Sequence, residues 1–182
     1  MPPLLTELLH DWHDFFSLVG AASATLVGLV FVAASLGSSI FREEHRAPLQ
    51  TFITPTVAHF TAALVACLLA VMPIHSWSAL GALLGTEGLA GLIYCAEIIV
   101  QLILKRQYRV HLIDRLFYAL VPTVGYVLLA ISAGLLFMQA PASVDVMAAA
   151  LLTLLLAGIR NAWDMTLWIA IKTPSTRAGP LP

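Results

Sequence analysis

The chain has 182 residues, of which 60% are hydrophobic and only 10% charged, with a net charge of −1. Soluble domains run near ~45–50% apolar and ~25% charged, so no water-soluble fold of this size could hide so much apolar surface. No basic block interleaved with aromatic residues is present, which argues against nucleic acid as a partner.

The apolar runs are continuous over about 20 residues, whereas the strands of a membrane barrel alternate over ~10. The expected class is therefore all-α, a polytopic helical membrane protein whose first partner is the lipid bilayer. Cys67 and Cys95 both fall in apolar segments and read as small buried hydrophobes, not as a disulfide or a metal site. The first ten residues hold no Lys or Arg, and the apolar run from Phe15 is too long for a signal h-region. A cleaved signal peptide is not expected.

Residues 1–14 are short and acidic. Leu5, Leu8, Leu9, Trp12, Phe15 and Phe16 recur at helical spacing, which predicts an amphipathic segment at the membrane interface. His10, His13 and Asp14 share a face, but without a fourth ligand they read as a wet interfacial surface and not a metal site.

The first span is expected over 15–41. Gly20, Ala24 and Gly28 form a ridge of small residues on it, suited to close helix packing within the monomer or between subunits. The second is expected over 52–72, with Pro55 near its start and His59 on a stripe of small residues. The third ends near Leu104 and starts either near 79 or near 88. In it Gly81, Gly85, Gly88 and Gly91 favour close packing or a broken helix. Glu87, Ala90, Tyr94, Glu97 and Gln101 fall within ~80° on its wheel, a polar seam with Glu87 toward the outer end and Glu97 deeper. The fourth is expected over 116–138, kinked at Pro122, with Tyr118 and Tyr126 on the same face. The fifth covers 143–171 and carries Arg160, Asn161 and Asp164 on one ~100° wedge. Residues 15–172 thus read as a single transmembrane domain, followed by a flexible cytoplasmic tail over 173–182.

Five spans place eight of the nine basic residues on one side, in the first and third loops and the C-terminal tail. The positive-inside rule then predicts the N-terminus out and the C-terminus in, with the chain multi-pass in an inner or plasma membrane. Arg160 is the exception. Counted from the cytoplasmic ends, His59, Glu97, Asp164 and Arg160 occupy one layer ~10–17 Å deep. Charges at that depth are expected to face protein or water, so these side chains are a predicted contact set. Such a set either fixes helix register as a buried ion-pair network or lines a passage.

The pathway reading names Glu97, Arg160, Asn161, Asp164, His59, Glu87, Tyr94 and Gln101. It makes the chain an oligomeric channel or simple transporter for an ion or small solute, with homo-oligomers assembled on the small-residue ridge. The other reading is a non-transport membrane subunit or regulator. Its basic third loop, with Arg106, Arg109 and Arg115, would dock a membrane protein partner or anionic lipid. No metalloprotease, serine-hydrolase, P-loop or paired-cysteine motif is present, so neither an enzyme nor a cofactor is expected.

Overall fold

The computed structural model describes residues 5–37, 46–73, 76–104 and 119–172. Among these residues the chain is all-helical, with six helices and no strand. They are α1 (Leu5–Asp11), α2 (His13–Gly37), α3 (Arg46–Val71), α4 (Trp77–Leu104), α5 (Val121–Phe137) and α6 (Ala142–Lys172). Four of them, α2, α3, α4 and α6, are long and apolar enough to cross a membrane, whereas α5 is a shorter apolar helix of 17 residues. This is a membrane protein.

The helices are packed in the order α2, α3, α6, α5, α4, and α4 returns to touch α3 only sparsely. Facing residues run in opposite directions: Gly125 and Leu154, then Ser132 and Ser143, pair across α5 and α6. Without a hydrophobic drive in lipid, such bundles are held by packing and hydrogen bonds, and small residues admit close approach. A Cβ on Gly81 would lie 3.2 Å from the Ala133 carbonyl oxygen, and one on Gly88 only 3.1 Å from the Ala130 nitrogen. The glycines of α4 therefore serve close packing, and the helix runs unbroken.

Its start is settled by a cap. The Ala79 amide donates to Ser76 Oγ at 3.3 Å, satisfying an amide that a helix N-terminus leaves unbonded. The third span thus begins at Trp77, close to the earlier of the two expected starts. Glu87 then lies ten residues in, about 15 Å along the axis. Within the 28-residue helix Glu87 thus stands a little before the middle.

One proline expectation also changes. Helix α3 begins at Arg46, so Pro55 is inside the helix and not in its first turn. Membrane helices tolerate this because neighbouring groups satisfy the freed carbonyl. Ahead of α5, residues 119–120 already form a π-type helical turn before Pro122, and the earlier part of the expected fourth span lies outside the described residues. Tyr118, residues 38–41 of the expected first span, the basic loop 105–115 and the tail 173–182 lie outside the described residues.

Helix α1 is amphipathic as expected, and its apolar side is taken up by protein. Leu5 and Leu9 are buried in the cluster that holds Phe16, Ala66, Leu80 and Leu151, while Glu7, His10 and Asp11 stay exposed. It closes one end of the bundle.

Candidate functional site

The predicted polar set divides into three places. The first is the meeting point of α3, α4 and α5. His59 is fully buried on α3, and its Nδ1 shares a 3.1 Å hydrogen bond with the Tyr126 hydroxyl from α5. The two rings are 5.7 Å apart at 55°. Tyr126 can lie there because Gly91 has no side chain: a Cβ at 91 would overlap the tyrosine ring. Beside it, where α3 and α4 only graze, is a crevice of about 220 Å³ open at the bundle surface. Ala58 and Ala62 form its α3 wall, Glu87, Ala90, Gly91 and Tyr94 its α4 wall, and Tyr126 its end.

Glu87 is the acidic side chain of the crevice. Its Oε2 is buried without a hydrogen-bond partner, and so is His59 Nε2. Buried polar atoms in native proteins are overwhelmingly bonded, so each such atom calls for an explanation. A buried polar atom left without a hydrogen bond costs on the order of 1–3 kcal/mol. The carboxyl is thus held where it is expensive, next to an open space. That combination marks a site more strongly than a buried ion pair does.

The second place is on α6. Arg160 and Asp164, four residues apart, pair through Nη1 and Oδ1 at 2.5 Å, with side chains 36% and 25% exposed. The expected pairing along one helix is present. Asn161 beside them is fully buried, with neither amide atom hydrogen-bonded.

The third place is the far end of the α4 seam. Glu97 and Gln101 are exposed on the bundle surface, and Glu97 has no ion pair or hydrogen bond among the described residues. It does not join His59, Arg160 or Asp164, so the single layer expected from depth alone is not assembled. Contact requires a facing neighbour as well as a shared depth, and α4 gives its inner face to α5.

The small-residue ridge divides as well. A Cβ on Gly20 would come 3.2 Å from Cys67 Cβ, so Gly20 packs α2 on α3 inside the monomer. Ala24 and Gly28 are exposed, and nothing lies within 4 Å of a Cβ at Gly28. A period of four residues drifts ~40° per step on a helix of 3.6, which carries the ridge off the contact.

At the N-terminus, His13 Nδ1 lies 3.6 Å from Asp14 Oδ1 on an exposed surface. No group of three or more His, Cys, Asp or Glu that could hold a metal comes together among the described residues. No protein-family model, curated protein or solved structure matches this chain. The functional reading therefore rests on the site. The residues that sequence reasoning passed over are Tyr126 as the partner of His59, and Ala58, Ala62 and Gly91 as walls. A tyrosine and a glycine on different spans carry no sequence signal of mutual fit.

Proposed function

We propose that this is a five-span protein of an inner or plasma membrane, N-terminus out and C-terminus in, that works as an oligomeric channel or simple transporter for an ion or small solute. The α3–α4 crevice is its solute site. Helix α5 covers only ~25 Å at 1.5 Å per residue. It runs between α4 and α6, which are both of spanning length, and this supports counting it as the remaining span. The distribution of Lys and Arg supports the orientation.

The observation that carries the transport reading is Glu87: a carboxyl near the middle of an apolar helix of spanning length, one oxygen buried and unbonded, beside a cavity between two loosely joined helices. Intramembrane ionisable groups mark ion and solute pathways more often than they serve stability. The outward-facing Ala24 and Gly28 offer the surface on which copies assemble.

The test is flux in proteoliposomes under imposed gradients of Na⁺, K⁺, protons and a small organic cation. Wild-type protein is expected to conduct at least one of them. Glu87→Gln should reduce that flux at least ~10-fold while the purified protein keeps its helical content, and Glu97→Gln should leave it within about twofold. Equal flux in wild type and Glu87→Gln, or none in wild type, would reject the reading in favour of a non-transport subunit.

A further inference from the structure

The walls of the crevice specify their occupant more closely than "ion or small solute" does. Among the described residues its one acidic side chain is Glu87, and two tyrosines, Tyr94 and Tyr126, share the lining. Among the described residues no Lys, Arg or His lines it. The rest is methyl groups and glycine backbone from Ala58, Ala62, Ala90 and Gly91. A carboxyl and aromatic rings attract positive charge, the rings through the negative potential of their faces. The methyl walls offer nothing to an inorganic cation, which needs several oxygen ligands to replace its water. They fit alkyl groups.

We infer that the α3–α4 crevice binds a small alkylated ammonium, its cationic centre against Glu87 and its alkyl arms against Tyr94, Tyr126 and the alanine walls. Size agrees: 220 Å³ lies below the ~300–1,000 Å³ of pockets for drug-sized ligands, so the occupant is small. A lipid acyl chain would fill the same space and leave the carboxyl facing hydrocarbon, the one arrangement a buried polar group disfavours. The opening at the bundle surface gives a partly apolar cation a lateral route from the bilayer. The inference builds on the transport reading above by naming its substrate class, and binding can be measured apart from flux.

The experiment is calorimetric titration of tetraethylammonium chloride into the purified full-length protein in a maltoside detergent, at constant ionic strength. Saturable binding with a dissociation constant below about 1 mM is expected. Glu87→Gln should weaken it at least ~10-fold and Tyr94→Leu about threefold or more, while Tyr94→Phe, which keeps the ring, restores it. Ala90→Leu, which fills the crevice from an outward position, should abolish binding without lowering thermal stability. Tetrabutylammonium should bind more weakly than tetraethylammonium because it exceeds the space.

No saturable binding in wild type, or binding that survives both Glu87→Gln and Ala90→Leu, overturns the inference. Should Glu87→Gln fail to fold, the two Tyr94 variants and Ala90→Leu decide it. Glu87-dependent cation flux without ammonium binding overturns the substrate class and leaves the transport reading standing. Glu87-dependent ammonium binding without flux of any cation supports the site and overturns transport.

Discussion

On the side that meets α5, helix α4 presents Gly81 and Gly88 to the backbone of Ala130 and Ala133, and a methyl group at either glycine would fit only if the α5 backbone gave way by a few tenths of an ångström. Toward α3 it presents Glu87, Ala90 and Tyr94 to Ala58 and Ala62, and the two helices leave a crevice between them. Both seams are built of small residues. On the α5 side, small side chains let the opposing backbone close the gap, so packing is complete. On the α3 side, small residues face small residues across a sparse contact, and nothing fills the space. Small residues thus give adhesion where helices are pressed together and a cavity where they are not. Gly91 stands at the border of the two regimes, its missing side chain replaced by the ring of Tyr126.

The largest expected effect tests the closed seam. Gly88→Val places a branched side chain against Ala130 backbone that cannot yield as a side-chain tip would. Overpacking of this kind costs about 1–3 kcal/mol, and we expect the upper part of that range. Ala90→Val, two residues on, points a similar volume into the crevice and should stay within ~0.5 kcal/mol of wild type. Reversible unfolding in mixed micelles measures both. Equal costs would mean that the two seams are packed alike, and the comparison would fail.

Much of this architecture was readable before any coordinates. The helical membrane class follows from uninterrupted apolar length, and the Arg160–Asp164 pair from a spacing of four, because both are properties of a single helix. The contact set failed at Glu97 because it required knowing which face of α4 meets which neighbour. The wheel grouped Glu87, Tyr94, Glu97 and Gln101 correctly, yet only the first two come opposite α3 where the crevice forms. The start of α4 was legible in principle: Ser76 before Trp77 is a capping residue, and reading it would have decided between the two expected starts. The His59–Tyr126 bond was not, since it depends on a glycine of a third helix making room.

That bond gives the intermediate effect. Tyr126→Phe keeps the ring in its place against Gly91 and removes the hydroxyl, leaving His59 with neither ring nitrogen hydrogen-bonded. Hydrogen bonds between membrane helices average about 0.6 kcal/mol and reach ~1.7. We expect the upper half of that range, because a buried partner stripped of its bond keeps its desolvation cost. Gly91→Ala should cost more than Tyr126→Phe, since it displaces the whole ring. If the two variants are equally stable, the ring does not depend on the glycine, and the border between the seams lies elsewhere.

The smallest effect sits at the turn that sets α5 in register with α6, and through it with the closed face of α4. Helix α5 ends with the Gln139 amide donating to the Leu136 carbonyl at 3.0 Å and the Ala140 amide to that of Leu135 at 3.0 Å. This crossed pair of bonds demands a left-handed residue, and Gln139 supplies it at φ 54°. A side chain there carries a penalty of about 1 kcal/mol that glycine avoids, offset in part by glycine's greater freedom in the unfolded chain. Gln139→Gly should therefore raise stability by somewhat less than ~1 kcal/mol, read as a higher Tm in detergent. Because the turn closes the α5–α6 hairpin and touches neither wall of the crevice, tetraethylammonium affinity should not change. A gain in stability accompanied by altered binding would show that the crevice is set by α5 register after all, and that the two seams of α4 are coupled.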